Sequence, residues 1–146
     1  MSGRMMDCSG MMVVVKGGGE MATGVAHRLA RSGFRVCLTE IPEPQAVRRG
    51  AAFCEAVFDG QKEVDGLISR RVTGEREILE AWEEKMIPLV VDPECRIREI
   101  LKPPILVDAI LAKRNTGTRL EDASLVIGLG PGFRAVLRPA RPADIL

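Results

Sequence analysis

The chain has 146 residues, a length that fits one domain with its own hydrophobic core. Its formal net charge is +1 and only 3% of its residues are aromatic, which disfavours nucleic-acid binding through charge or base stacking. No apolar run approaches the roughly 20 residues that cross a bilayer, and residues 1–12 lack the apolar centre of a secretory signal. We therefore expect a cytoplasmic protein that binds neither nucleic acid nor membranes.

The cysteines and the single histidine argue against a metal site. The four cysteines, Cys8, Cys37, Cys54 and Cys95, include no CxxC pair. Zinc sites are usually built from clustered cysteine and histidine ligands. We predict reduced thiols and no metal.

A short β-branched run leads directly into three glycines and then into an amphipathic segment. The spacing Gly17-x-Gly19-x-x-Ala22 is that of the dinucleotide-binding fingerprint, with alanine in the third place. In that fingerprint Gly17 permits the sharp turn, Gly19 leaves room for a pyrophosphate, and Ala22 lets the helix lie close to its strand. The free N–H groups and the positive dipole end of the helix would face the ligand's phosphates.

The next predicted strand, residues 34–40, ends in an acid. Glu40 follows Gly17 by 23 positions, close to where this fold places a carboxylate on the ribose hydroxyls. An acid there favours an unphosphorylated ribose, as in NAD or FAD, because it repels a 2′-phosphate. The alternative is a strand–helix unit with a glycine turn and no ligand.

Further apolar runs and turn signals predict an α/β chain. Beyond Glu40 we predict a short helix at 45–49, a strand in preference to a buried helical turn at 51–57, and a strand at 67–72. Thr73 is predicted to cap a helix over 74–86, with Ile78, Leu79, Trp82 and Met86 on one face. Strands at 87–92, 105–108 and 124–127 follow, around a charged segment at 94–102. We expect a three-layer Rossmann-like fold with a mostly parallel sheet over 12–133, a flexible leader at 1–11 and a disordered tail at 134–146.

Acids and glycines follow the apolar runs at their carboxyl ends. In an open parallel sheet these ends share one edge, where ligands bind. Polar turns also occur without any ligand, so this enrichment is not specific. The predicted cofactor-binding residues are Gly17, Gly18, Gly19, Glu20, Met21, Ala22, Glu40, Asp92, Asp108, Gly128 and Gly130.

No arrangement of side chains identifies a catalytic residue. His27 is more typical of a partly exposed helix residue than of a base, and Cys37 of a buried, inert thiol. Cys95 is the best candidate for a reactive thiol. Asp108 would either contact a metal or substrate or cap the following turn.

Two basic stretches are open to two interpretations. Arg48 and Arg49 are either a solvated helix end or cations near the phosphates. Lys113, Arg114 and Asn115 either bind an anionic ligand or form a solvated loop.

The longer motifs resemble YqeB-type proteins, which accompany selenium-dependent molybdenum hydroxylases and are related to xanthine dehydrogenase accessory proteins. The resemblance covers about residues 13–133 and is carried by residues 16–29, 40–42 with 48–49, 108–117 and 129–133. It implies a Rossmann-like domain that helps to mature or insert a molybdenum cofactor, with NAD, another dinucleotide or a molybdopterin-type cofactor as ligand. The implied partners are a molybdenum hydroxylase apoenzyme or other cofactor-maturation proteins. Family chains continue beyond residue 133, and residues 134–142 do not resemble that continuation; a native C-terminus and a frameshift or early stop are both open interpretations.

Two other functions fit the same pattern. One is the cofactor domain of an NAD-dependent oxidoreductase, which would need a substrate-binding half with acid–base groups. The other is a non-enzymatic nucleotide-sensing domain that acts through a dimer interface. We also expect a homo-oligomer, because an open sheet edge or apolar face requires cover.

Overall fold

The computed structural model describes residues 10–46, 48–111 and 115–130. Within these ranges seven strands form one sheet: β1 (Met12–Lys16), β2 (Arg35–Glu40), β3 (Gln61–Val64), β4 (Leu67–Val72), β5 (Ile87–Val91), β6 (Ile105–Asp108) and β7 (Leu125–Gly128). Their order in the sheet is β3-β4-β5-β2-β1-β6-β7. All neighbours are parallel except β3 and β4. The predicted α/β class with a mostly parallel sheet is confirmed.

Four helices pack on the sheet: α1 (Glu20–Arg31), α2 (Ala56–Asp59), α3 (Glu75–Glu83) and α4 (Ile97–Leu101). Side chains alternate between the two faces of each strand, so each helix meets one set of strand residues. Val13 and Val15 belong to a core cluster with Ala22 of α1. Val14 belongs to a second cluster with Ile78 of α3. The interior strand β1 therefore contributes to both clusters.

Trp82 of α3 anchors that helix to the start of β2. Its indole N–H donates to the carbonyl of Val36 at 2.9 Å. The guanidinium of Arg35 lies 5.9 Å from the centre of the indole ring, within the range of a cation–π contact. Trp82 is thus a packing residue, as its position on the helix predicts.

The strand predicted at 51–57 is wrong. The segment forms 3₁₀ turns at Arg49–Ala51 and Phe53–Glu55 and then α2. Its backbone bonds to the glycine turn instead of to a strand: the amide of Cys54 donates to the carbonyl of Gly18 at 2.9 Å, and that of Phe53 to the hydroxyl of Thr23 at 2.9 Å. The helix predicted at 45–49 is also wrong for the described part of that segment. Residues 45, 46 and 48 are not helical, and Arg49 begins the first 3₁₀ turn.

The helix predicted at 74–86 is present but shorter, since α3 ends at Glu83. Its N-cap is Gly74, and Thr73 instead donates to the carboxylate of Glu77 through both its amide and its hydroxyl, at 2.7 and 2.8 Å. Ile78 is buried, whereas Leu79, predicted on the same face, is 44% exposed. The capping prediction is wrong because the helix begins one residue later than expected, at Glu75, which places Gly74 and not Thr73 at the N-cap.

Two elements were not predicted. The Asp65-Gly66 turn, where both φ angles are positive, closes a hairpin between β3 and β4. The charged segment at 94–102 contains α4, whose Ile97 and Leu101 lie one turn apart and are buried. Both elements are short, with four residues in β3 and five in α4, so their apolar periodicity is weak.

Several predictions fall outside the described residues: most of the leader, the pair Lys113 and Arg114, and the tail at 134–146. None of the helices within the described ranges combines the length and the hydrophobicity needed to cross a bilayer.

Candidate functional site

The predicted site positions lie along the carboxyl edge of the parallel strands. Lys16, the last residue of β1, is in register with Thr39 on one side and with Asp108 on the other. Asp108 is in register with Gly128, and Glu40 with Val91, the residue before Asp92. The structure thus brings the ends of five strands to one edge, with β1 in the middle.

The first two glycines of the turn are tightly packed against other backbone. Gly17 has φ of +106°, and a Cβ at this position would lie 3.2 Å from the carbonyl oxygen of Ala109. A Cβ on Gly18 would lie 3.1 to 3.2 Å from three atoms of Cys54. These glycines allow the turn to fit between the segments that follow β6 and precede α2.

The third glycine is open. Gly19 is the N-cap of α1, and a Cβ there would have no neighbour within 4 Å among the described residues. Its carbonyl accepts from the amide of Thr23 at 2.8 Å, which starts the helix. Within the described ranges, the amides of Glu20, Met21 and Ala22 have no acceptor. These three donors and the helix dipole form a position at which an anion is stabilised.

Glu40 lies beside the glycine turn, but its carboxylate is already engaged. Oε1 accepts from the amide of Gly18 at 2.8 Å, and Oε2 from the amide of Ile41 at 2.7 Å. Burial raises the pKa of Glu40, and these two hydrogen bonds oppose the rise. A carboxylate oxygen can accept more than one bond, so acceptor capacity remains for a ligand's hydroxyl groups.

The other residues of the turn have different environments. The carboxylate of Glu20 accepts from the amide and from Nε of Arg48, both at 2.8 Å. These bonds hold the pKa of Glu20 below its usual value. Met21 is 52% exposed, whereas Ala22 is fully buried against the sheet. Arg48 therefore contacts the helix start as a partner of Glu20.

The remaining predicted residues brace loops at the edge. Asp92 accepts from the amide of Ile97 at 2.8 Å through Oδ2 and so supports the start of α4. Gly130 has φ of +106° and packs on the backbone of Leu111. A Cβ built on Gly130 would lie 3.1 Å from the Cα atom of Leu111. Gly128 is exposed at the end of β7.

A buried charged network on the opposite face of β1 was not predicted. The Lys16 ammonium donates to the hydroxyl of Thr118 at 2.6 Å, and that hydroxyl donates to Oδ2 of Asp108 at 2.6 Å. The ammonium lies 3.8 Å from the same carboxylate oxygen. Asn115 accepts from the amide of Thr118 at 2.8 Å and so holds the loop in place. All three members of the network are buried, Asp108 to 1% exposure. The only signal in the sequence is a lysine at the end of an apolar strand.

The candidate chemical groups outside this network are restrained or buried. The imidazole Nε2 of His27 lies 3.1 Å from the carbonyl of Asp65 on the hairpin turn. Burial raises the pKa of the thiols of Cys95 and Cys37, which favours the unreactive protonated form. Cys95 has φ of +54°, an unusual conformation for a residue other than glycine.

The cavity that described residues form at this edge is small. Its volume is about 50 Å³, and Lys16, Gly17, Glu40 and Asp92 are among its lining residues. A ligand pocket typically has about 300 to 1,000 Å³. A larger cavity of about 530 Å³ runs along α1 beside the hairpin, and its lining includes Glu20 at the helix start. Another, of about 490 Å³, lies at the amino edge of the sheet.

Within the described ranges, no group of three or more histidine, cysteine, aspartate or glutamate side chains is placed to hold a metal ion.

No family model matches the chain. It is 46% identical over 124 residues to a protein of Escherichia coli (strain K12) described as uncharacterized protein YqeB. The matched stretch is 85% of this chain and 23% of that protein, so the chain spans about a quarter of the length of the curated relative it matches. The similarity extends over most of the chain and supports membership in the YqeB-type family.

Proposed function

We propose that this chain is a YqeB-type, Rossmann-like domain that holds the phosphates of a nucleotide or molybdopterin-type cofactor at the turn from Gly17 to Ala22. The protein would act as an accessory factor that matures or inserts the molybdenum cofactor of a selenium-dependent molybdenum hydroxylase. The comparison with the Rossmann fold rests on β1, an interior strand between β2 and β6, which is followed by a glycine turn and a helix.

The observation that carries this proposal is the open helix start at Gly19. Within the described ranges the amides of Glu20, Met21 and Ala22 have no acceptor, and no described atom lies within 4 Å of a Cβ built on Gly19. By contrast, Gly17 and Gly18 are needed to pack the turn itself. A phosphate group is the ligand that best complements several free amides at the positive end of a helix of 12 residues.

Glu40 supports a ligand that carries a sugar or another hydroxyl-bearing group beside its phosphates. Its carboxylate lies next to the turn through the amide of Gly18. Hydroxyl groups can donate to the free acceptor positions of both oxygens. A second phosphate at that point would be repelled by the charge of Glu40.

The decisive experiment is calorimetric titration of the whole chain with NAD, FAD, ATP, CTP and molybdopterin-type cofactors. Gly19→Val fills the space beside the helix start and should abolish binding of any true ligand. Gly74→Val is the matched control, because Gly74 is also an N-cap with no neighbour within 4 Å of a Cβ. If no compound binds, or if both variants lose binding equally, the proposed site is wrong.

The same titration separates the alternatives. Binding of a molybdopterin-type cofactor together with association with a molybdenum hydroxylase apoenzyme supports the accessory role. Binding of NAD followed by hydride transfer to an added substrate supports the oxidoreductase alternative. Binding of a nucleotide that changes only the oligomeric state supports a sensing domain.

A further inference from the structure

The two outer strands of the sheet differ in how they are protected. At one end is β3, with the sequence Gln-Lys-Glu-Val, whose charged side chains discourage pairing with another chain. At the other end is β7, with the sequence Leu-Val-Ile-Gly. Within the described ranges β7 has one neighbour, β6, and it carries neither a charge nor a proline. The second edge has none of the sequence features that normally protect an open strand.

The face of the sheet next to that edge is also uncovered. Leu125 is 44% exposed and Ile127 is 40% exposed. Their register partners are Ile105 and Val107, whose side chains pack in or against the same core cluster as Val13 and Val15. Leu125 and Ile127 therefore extend this apolar face beyond the last strand that is covered.

Strand order gives the position at which a Rossmann sheet has a further strand. In the Rossmann strand order 3-2-1-4-5-6, strands 4, 5 and 6 lie on one side of strand 1. Here the described residues supply two strands on that side, β6 and β7. The YqeB of Escherichia coli has more than three quarters of its length outside the stretch that this chain matches. It therefore contains ample polypeptide for one more strand and for a segment to cover Leu125 and Ile127.

We propose that the edge of β7, together with Leu125 and Ile127, receives a further parallel strand from polypeptide equivalent to the part of YqeB that lies outside the matched stretch. The comparison of strand order rests on the proposed Rossmann-like fold. The contact would consist of backbone hydrogen bonds along β7 and of apolar side chains over Leu125 and Ile127.

The amides that face the open edge can be identified. Leu125 and Leu129 donate to the carbonyls of Pro104 and Asp108, on the side of β6. Because successive amides of a strand point to opposite sides, those of Val126 and Gly128 face outward. These two amides report on the proposed contact independently of any cofactor.

The test combines the full chain with the part of Escherichia coli YqeB outside the matched stretch, after circular dichroism and a cooperative thermal transition have shown that this partner is folded. Hydrogen exchange should slow at Val126 and Gly128 when the partner is added. Ile127→Lys should weaken the association, measured by calorimetry, by about tenfold or more, because a charge is placed in an apolar contact. Glu63→Lys on β3 is the matched control and should leave the affinity unchanged.

Two results would overturn the proposal. One is unchanged exchange at Val126 and Gly128 in the presence of the folded partner. The other is slowed exchange at these amides when the chain alone is concentrated, which would assign the edge to a second copy, the homo-oligomer predicted from the sequence. Cofactor titration of the same samples reports separately on the Gly19 site, so failure at one place does not imply failure at the other.

Discussion

The two sides of β1 at the carboxyl edge of the sheet are built in different ways. On the side of α1, the glycine turn presents an open N-cap at Gly19 and backbone amides that have no acceptor among the described residues. On the other side, Lys16, Thr118 and Asp108 bury a cation, a hydroxyl and a carboxylate in one network. We therefore expect changes at Gly19 to affect folding little and changes within the buried network to affect it strongly. Binding and stability should therefore be separable by mutation at positions only three residues apart.

The largest effect is expected from Lys16→Met. This change leaves the carboxylate of Asp108 buried without its counter-ion, and breaking a buried pair in this way typically costs about 3 to 5 kcal/mol. Denaturant unfolding monitored by circular dichroism measures the loss. Lys62→Met on the outer strand β3 is the control and should change the free energy of unfolding by less than about 0.5 kcal/mol. A similar, small loss for both variants would mean that the network contributes little.

Thr118→Val tests the hydroxyl that links the two charges. Valine has nearly the same shape but can neither accept from Lys16 nor donate to Asp108, so we expect a loss of about 1 to 3 kcal/mol. Thr118→Ser keeps the hydroxyl and should retain most of the stability. If Val and Ser variants unfold at the same denaturant concentration, the hydrogen bonds are not the source of the stabilisation.

Serine substitutions at Gly17 and Gly19 compare packing with openness inside one turn. Gly17→Ser places a side chain at φ of +106° and close to the backbone of Ala109, and should cost about 1 to 3 kcal/mol. Gly19→Ser supplies a favoured N-cap in open space and should be neutral or slightly stabilising. Thermal unfolding of the two variants measures the difference. Equal losses would contradict the assignment of Gly19 as the open position.

The smallest effect is the pH dependence caused by Glu40. Because burial raises its pKa in the folded state, the folded protein binds this proton more tightly than the unfolded chain. This contribution to stability is fully present below the unfolded pKa and is lost as pH rises through the folded pKa. Relative to Glu40→Gln, the wild type should therefore become more stable as pH falls from 7 towards 4. Urea titrations at several pH values check the sign, and a difference that shrinks on acidification would contradict it.

Sequence patterns were sufficient for the elements that carry strong apolar runs. The order strand, glycine turn, α1, β2 and Glu40 is present as predicted, and so are β4, β5, β6 and β7. Glu40 does lie beside the glycine turn. These features depend on residues close together in the chain or on the shared edge of parallel strands, both of which leave a local signal.

The features that were missed depend on contacts between distant residues. Lys16 and Thr118 are 102 positions apart, and nothing near either residue indicates that they meet. The segment at 51–57 is apolar enough for a strand, but its amides bond to the glycine turn and to Thr23. Glu20 binds Arg48, a partner 28 positions away, and this contact also has no local signature.

Trp82 gives the protein a built-in optical reporter. It is the only tryptophan and the chain has no tyrosine, so near-ultraviolet emission comes from one known place. Its ring is held against the start of β2, at the end of the strand opposite Glu40. A cofactor bound at the glycine turn would leave this fluorophore's surroundings unchanged, whereas global unfolding would expose it to water. Intrinsic fluorescence can therefore follow folding of every variant in the presence or absence of ligand.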